Sequence, residues 1–144
     1  MSVEREVAHF EPATPAASEV EVRVPAEAAQ LAVLRAVVGD LAMRADYDVD
    51  SIADLRLAVD EACSSLVRLA DSDATLVCRF HTAEDHLSVV AEVVSADKFG
   101  PRKDTFSWRV LSALADTVSS SVESDPAANG SNLVRIQLTK GKSA

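Results

Sequence analysis

The apolar residues of this chain follow a helical period over two long segments and then change to a strand period, which constrains the fold more than any other feature. Over residues 26–44 and 52–69 they recur every three or four positions, as in amphipathic helices. Over residues 75–81, 86–94 and 134–139 they alternate with polar side chains, as in half-buried strands. The fold must therefore pack helices against a sheet.

Each long helix is predicted to bury one apolar stripe. Pro25 suits the first turn of the first helix, and Asp50 or Ser51 can cap the second. The stripe comprises Leu31, Leu34, Val38 and Leu41 in the first helix, and Ile52, Leu55, Val59, Ala62, Cys63 and Leu66 in the second.

Shorter elements complete the pattern. Val20, Val22 and Val24 alternate with charged residues and predict a strand with one buried face. A third helix is predicted over 106–114 and a strand over 117–123, followed by a turn over 124–131. The order strand, helix, helix, strand, strand, loop, helix, strand, strand predicts an α+β two-layer sandwich. Its sheet should be mixed but mostly antiparallel, with helices on one face.

The length of 144 residues fits one domain. Residues 1–18 contain Pro12 and Pro15 and predict a flexible N-terminal arm, so the domain should span residues 19–140, followed by a short tail. No apolar run is long enough for a membrane span, and the first residues contain no apolar signal-peptide core. These features predict a cytoplasmic protein.

The formal net charge is −9, from 14 basic and 23 acidic residues. Direct binding to nucleic acid is disfavoured, because phosphate contacts need clustered basic residues. The charge suits a partner with a basic surface, such as a nucleic-acid-binding protein, or serves solubility alone. Cys63 and Cys78 have no metal-ligand spacing, so we predict two small core residues and no metal site.

The segment Leu55–Cys63, with the sequence LRLAVDEAC, resembles the GHKL fold, the histidine-kinase-like ATPase fold. Within that fold it is similar to the RsbW-type anti-sigma factors, which are also serine kinases, and to the actinobacterial members that control a stress-response sigma factor. The segments FSWRVLSALADTV and SNLVRIQLTK match the last helix and the last two strands. The resemblance covers residues 20–140.

The resemblance implies a nucleotide site whose motifs are altered here. Glu61 stands at the general base, and Ser65 replaces the asparagine that ligates magnesium, although a serine hydroxyl is a weaker ligand than an amide oxygen. The family's adenine-binding aspartate aligns with Val94, and Asp97 can replace it only through a three-residue shift. Arg102 or Lys103 could contact phosphate.

The glycines that precede the last helix in the family are also replaced, by a segment that includes Trp108 and Arg109. Glycines at a helix start expose backbone N–H groups to phosphate, so their loss crowds that site. The resemblance therefore implies that binding of ATP and magnesium is weakened or lost. The residues alone, without the resemblance, predict that Asp60 and Glu61 lie on a solvated helix face or that Asp60 pairs locally with Arg56.

The resemblance also implies partners. The family uses an arginine of the first helix to contact the sigma factor, and Arg35 stands there, with Asp40 and Arg44 on a neighbouring face. We expect a homodimer that sequesters a sigma factor and is released by a STAS-type anti-anti-sigma factor. Two alternatives stay open: an active ATP-dependent serine kinase that phosphorylates its antagonist, and an interaction domain with no role in transcription.

Overall fold

The structure, a computed structural model, describes residues 18–124 and 130–142. Apart from Ser18, the predicted N-terminal arm lies outside the described residues. The elements in chain order are β1 (Ser18–Pro25), a 3-10 turn (Ala28–Gln30), α1 (Leu31–Arg44), α2 (Val49–Leu69), β2 (Thr75–Thr82), β3 (His86–Ser95), α3 (Phe106–Leu114), β4 (Thr117–Ser124) and β5 (Asn132–Gly141).

The strands form one sheet in the order β1-β2-β3-β5-β4. In β2 and β3, Cys78 faces Ala91, and in β3 and β5, Ala91 faces Ile136. Every pairing among the described residues is antiparallel, so the α+β prediction is confirmed and the sheet is not mixed. The chain reaches β4 through α3, and β5 returns between β3 and β4.

The core lies between the helices and one face of the sheet, where alternate strand residues point inward. The predicted inward faces of β2, β3 and β5 are confirmed, and both cysteines are buried among them as predicted. The buried strand residues are Leu76, Cys78, Phe80, Leu87, Val89, Ala91, Val93, Val134, Ile136 and Leu138.

Both long helices begin elsewhere than predicted. Pro25 ends β1, and α1 starts only at Leu31, because residues 28–30 form a separate 3-10 turn. The second helix, α2, is capped by Asp48, whose Oδ1 accepts a hydrogen bond from the Ser51 backbone N–H at 2.7 Å. The prediction of Asp50 or Ser51 as the cap was wrong, because Asp48 holds the extended conformation that a cap requires.

The first and last strands of the chain also differ from the prediction. Val20 is 36% exposed and Val22 is only half-buried, because β1 is an edge strand and its inner face is incompletely covered. The final strand continues to Gly141, whose backbone N–H donates to Asp116 Oδ2 at 2.6 Å, so part of the predicted tail is strand. Among the described residues, no helix combines the length and apolarity needed to span a membrane.

The outer face of the sheet carries a charge ladder, defined as Glu21, Arg79, Glu92, Arg135 and Glu123, one from each strand. Neighbours in this order pair at distances between 2.9 and 3.1 Å. The Glu92 side chain is 9% exposed and accepts from both arginines. Burial raises the pKa of Glu92, but the hydrogen bonds from Arg135 and Arg79 outweigh it, so the net pKa is lowered.

Candidate functional site

A cavity of about 230 Å³ lies between the last turns of α2, the loop of residues 96–105 and the first turn of α3. Three residues predicted for the nucleotide site, Ser65, Asp97 and Arg102, are brought together in its lining. The lining residues are Ser65, Arg68, Leu69, Asp97, Gly100, Pro101, Arg102, Thr105 and Trp108.

Glu61 belongs to a chain of hydrogen bonds beside this cavity, which we call the serine network: Glu61, Ser107, Ser65 and Arg68. The Ser107 hydroxyl donates to Glu61 Oε1 at 2.7 Å. Ser107 Oγ also lies 3.5 Å from Ser65 Oγ, and Arg68 Nη2 donates to Ser65 Oγ at 3.2 Å. Glu61, predicted for catalysis, and Ser65, predicted to ligate magnesium, thus already form hydrogen bonds with other side chains of the protein.

Ser107 was not singled out from the sequence. It reaches Glu61 because α3 is fixed at its start by Thr105, whose Oγ1 accepts from the Trp108 backbone N–H at 3.1 Å and donates to the Arg102 carbonyl at 3.2 Å. This cap sets the rotation of the first turn of α3. A threonine three residues before a predicted helical tryptophan was the available signal for the cap, but it does not indicate which side chain faces α2.

Asp97 uses its carboxylate inside its own loop. Its Oδ1 accepts from the backbone N–H groups of Phe99 at 2.7 Å and Gly100 at 2.9 Å. Gly100 has a φ of +72°, and a Cβ there would lie 2.9 Å from Val122 Cγ2. Val94, which the resemblance aligned with the adenine-binding aspartate, lies within β3, and Asp97 follows the end of that strand by two residues.

The base of the loop is fixed by Asp71, another residue not found from the sequence. Its Oδ1 accepts from the Ala96 backbone N–H at 2.8 Å, and its Oδ2 accepts from the Ser131 hydroxyl at 2.6 Å. The Ser95 hydroxyl donates to the carbonyl of Leu69 at 2.5 Å. These bonds join the residues at the end of α2 to the end of β3 and to the residue before β5, next to the cavity-lining residues Leu69 and Asp97.

The basic side chains of the loop are partly engaged. Arg102 donates to Asp104 over 2.6 and 3.1 Å. Lys103 Nζ lies 5.5 Å from the centroid of the Trp108 ring, within the range of a cation–π contact. Trp108 is half-buried beside the core and fills one wall of the cavity.

The site does not fit a magnesium nucleotide in this arrangement. Its volume is below the range of about 300–1,000 Å³ that is typical of small-molecule pockets. Asp97 and Ser65 are bonded to groups of the chain, and the Gly100 N–H donates to Asp97 rather than facing a phosphate. Within the described ranges, no cluster of three or more His, Cys, Asp or Glu residues is arranged to hold a metal ion.

A second candidate site is the exposed side of α1, together with β1. Asp40 and Arg44 form an ion pair of 2.8 Å there, and the apolar side chains of Val33 and Met43 are 43% and 63% exposed. A groove of about 310 Å³ runs between α1 and Val20 of β1. This side of α1 combines apolar side chains with one ion pair. We call it the α1 face and define it as Val33, Val37, Asp40, Met43 and Arg44.

Arg35 lies apart from the α1 face. It forms an ion pair with Asp60 of α2, and its side chain is 39% exposed. The alternative pairing of Asp60 with Arg56 is not found, because Arg56 packs over Gly39, where an added Cβ would lie 3.3 Å from Arg56 Cδ. The structure therefore separates Arg35 from Asp40 and Arg44.

Cys63 and Cys78 are buried side by side between α2 and β2. A hydrogen bond with Cys63 and burial both raise the pKa of the Cys78 thiol well above its ordinary value. A thiol with a raised pKa is a poor nucleophile, so Cys78 behaves as a core residue. Cys63 is buried in the same core.

Comparison with known proteins matches residues 24–137 to the histidine kinase-like ATPase domain. The anti-sigma-F factor RsbW of Mycobacterium tuberculosis is 43% identical over 99 residues, which cover 69% of this chain and 59% of the relative. The serine-protein kinase RsbW of Bacillus subtilis is 35% identical over 77 residues, which cover 51% of this chain and 48% of that relative. The serine-protein kinase RsbW of Halalkalibacterium halodurans is 36% identical over 72 residues, which cover 49% of this chain and 44% of that relative. The chain thus spans less than two thirds of each of these relatives.

Proposed function

Because the chain belongs to the histidine kinase-like ATPase domain family, we propose that it is an anti-sigma factor that sequesters an alternative, stress-response sigma factor. The name of the M. tuberculosis relative, anti-sigma-F factor, supports this assignment. A STAS-type anti-anti-sigma factor releases the sigma factor and so regulates transcription. The protein works in the cytoplasm as a homodimer.

The observation that carries the proposal is the α1 face. Val33 and Met43 expose apolar surface next to the Asp40–Arg44 pair, and such a patch is typical of a protein interface. Apolar side chains supply binding energy, and the charged pair selects the partner. A sigma factor binds DNA and so offers basic surface to a chain whose net charge is −9.

Arg35 contributes a separate contact, because it lies apart from the α1 face and pairs with Asp60 of α2. One guanidinium nitrogen is bonded to Asp60, which leaves further N–H groups for a carboxylate of the sigma factor. Asp60 also fixes the position of the guanidinium before binding, so less side-chain entropy is lost on association. We therefore retain Arg35, together with Asp40 and Arg44, as sigma-binding residues.

Release occurs by competition without a nucleotide step. The serine network occupies Glu61 and Ser65, and the cavity is small, so binding of ATP and magnesium is weak or lost. An antagonist that covers part of the α1 face then lowers sigma binding by mass action. The ratio of antagonist to sigma factor then sets how much sigma factor is free for transcription.

The experiment is a binding titration of the full chain with the sigma factors of its organism. Replacing Val33 and Met43 together by serine should weaken sigma binding by about tenfold or more, because apolar contact area is lost. Phe99→Ser is the matched control, since Phe99 is an exposed apolar residue that lies off the α1 face. If no sigma factor binds the unaltered chain, an interaction domain without a role in transcription becomes the better assignment.

The second candidate function is an ATP-dependent serine kinase that phosphorylates its antagonist. It is favoured by Glu61, which stands next to Ser107 and Ser65, and by the name of the B. subtilis relative. Glu61 would take the catalytic role, and Ser65, Asp97 and Arg102 would hold the nucleotide. Calorimetric titration with magnesium-ATP separates the two functions, with Ser65→Asn as the variant that restores an amide ligand. Micromolar binding by the unaltered chain would favour the kinase.

A further inference from the structure

The outward side of α2 carries a stripe of apolar side chains that stay exposed. Val49 is 81% exposed and Leu57 is 54% exposed, and Ala53 between them is exposed as well. These residues are spaced by four positions, so their side chains follow one another along the same side of the helix. Three apolar side chains in a row form a continuous surface, and continuous exposed apolar surface is typical of protein interfaces.

Contacts on both sides of α2 show that this stripe points away from the neighbouring helices. On one side, Asp60 pairs with Arg35 of α1. On the other side, Glu61 accepts a hydrogen bond from Ser107 of α3. Leu57 lies one turn before Asp60 and Glu61 and between them in angle around the helix axis. The stripe therefore forms the outer ridge of the helix layer.

Two charged side chains beside the stripe have no ionic partner within the described part of the chain. Asp50 and Arg56 are both exposed, and neither forms an ion pair or a side-chain hydrogen bond there. Arg56 Cδ lies 3.3 Å from the position that a Cβ on Gly39 would take, so the stem of Arg56 rests on α1. Asp50 and Arg56 are six residues apart, so opposite charges stand near the two ends of the stripe.

We propose that this α2 ridge, defined as Val49, Asp50, Ala53, Arg56 and Leu57, binds the same ridge of a second copy of the chain. The two α2 helices run antiparallel and cross at a two-fold axis beside Ala53. The inference rests on the proposed function, because it supplies the surface through which the homodimer forms.

Antiparallel packing makes the ridge complementary to itself. A two-fold axis at Ala53 sets Val49 opposite Leu57 of the second copy and Asp50 opposite Arg56 of the second copy, and each pairing occurs twice. Parallel packing would instead set Asp50 against Asp50 and Arg56 against Arg56, and like charges repel. Charge therefore selects the antiparallel arrangement.

The small side chain at the crossing point favours close contact. Ala53 projects only a methyl group, so the two helix axes can approach to about 8 Å, the short end of the usual range. At that separation, the larger side chains of Val49 and Leu57 can pack beside the crossing point from both copies.

The ridge suits a second copy better than an unrelated helix. Two-fold symmetry alone provides the match between Asp50 and Arg56, whereas an unrelated partner would need its own pair of charges at the same spacing. The ridge is small beside the about 1,200–2,000 Å² that a stable interface buries, and the net charge of −9 on each copy opposes association. We therefore expect a reversible dimer with a dissociation constant in the micromolar range.

Sedimentation velocity of the full chain over the micromolar range measures the self-association. Leu57→Ser should weaken it by about tenfold, because apolar contact is lost in both copies. Phe99→Ser is the matched control, since Phe99 is an exposed apolar residue outside α2. Circular dichroism of each variant checks that the helices are retained.

A charge swap tests the antiparallel pairing. Asp50→Arg and Arg56→Asp should each weaken the dimer by about tenfold, because each sets like charges opposite one another twice. The chain that carries both substitutions should return to within about threefold of the unaltered affinity, because the pairs are restored in reverse. Glu84→Arg in the exposed hairpin turn makes the same charge change as Asp50→Arg and should leave the dimer unchanged.

Cross-linking tests the position of the two-fold axis. A short bis-maleimide should join two copies of the Ala53→Cys variant, because the axis places this residue next to itself. Ser112→Cys is the control, since it introduces a thiol at an exposed position of α3. Cys63 and Cys78 are completely buried, so the folded chain gives little background reaction.

Unchanged self-association in Leu57→Ser and in both single charge reversals would overturn the inference and leave a homodimer that forms through another surface. Failure of the combined charge swap to restore the dimer would overturn the antiparallel pairing. A chain that stays monomeric would also overturn the inference, and a loss of sigma affinity in Leu57→Ser would then assign the ridge to the sigma factor. Sigma binding by the unaltered chain is measured separately, so failure of the proposed function is distinguished from failure of the ridge.

Discussion

The Ser107 hydroxyl donates a hydrogen bond to Glu61 Oε1 across 46 positions of the sequence, and this bond joins α3 to α2. A hydrogen bond to a charged group contributes about 1.5–3 kcal/mol when it is buried, and both side chains here are half-buried. The bond therefore fixes α3 and occupies the carboxylate that the sequence resemblance aligns with a general base.

Ser107→Ala should lower the free energy of unfolding by about 1 kcal/mol, because Glu61 loses its donor. Urea denaturation followed by the fluorescence of Trp108, the single tryptophan of the chain, measures the change. Ser112→Ala is the matched control, since it makes the same substitution at an exposed position of the same helix. Equal effects of the two substitutions would show that the Ser107–Glu61 bond adds no stability.

The spacing of apolar residues predicted which side chains each helix buries. It did not predict the contacts that depend on how two elements pack against each other. The stripe that includes Leu55, Val59 and Leu66 was found because a helix buries every third or fourth residue. The Ser107–Glu61 bond could not be found, because it depends on how α3 rotates against α2. The burial of β1 was overestimated, because alternation does not show that a strand lies at the edge of a sheet.

Arg35 and Asp60 should be coupled in sigma binding. Arg35→Ala should weaken it by about tenfold or more, because the anchor is lost, while Asp60→Asn should weaken it less, because it only loosens the guanidinium. A double-mutant cycle on the affinity measures the coupling. If Arg35→Ala leaves sigma affinity unchanged while unfolding becomes easier, the ion pair serves the fold alone.

Gly100→Ala should destabilise the protein by about 2–3 kcal/mol, because a positive φ is unfavourable for alanine and the new Cβ would lie 2.9 Å from Val122 Cγ2. Gly130→Ala provides the control, since Gly130 also has a positive φ, of +91°, but has nothing within 4 Å of the added Cβ. It should cost only about 1–2 kcal/mol. Thermal unfolding of both variants measures the difference. Equal losses of stability would mean that the loop moves away from β4 and relieves the contact with Val122.

Glu92 should make stability depend on pH below its ordinary pKa of 4.5. Its pKa is lowered in the folded state, so its contribution is complete above the unfolded pKa and is lost as the pH falls through the folded value. Glu92→Gln should therefore cost about 1–3 kcal/mol at about pH 7, where the carboxylate pairs with Arg79 and Arg135, and much less at about pH 3.

Urea denaturation across that pH range measures both proteins, with Glu84→Gln in the exposed hairpin turn as the control for loss of one negative charge. A gap between the unaltered chain and Glu92→Gln that stays constant down to about pH 3 would contradict the ladder's role. The stabilisation would then come from packing of the Glu92 side chain, which the amide retains, rather than from its charge between two arginines.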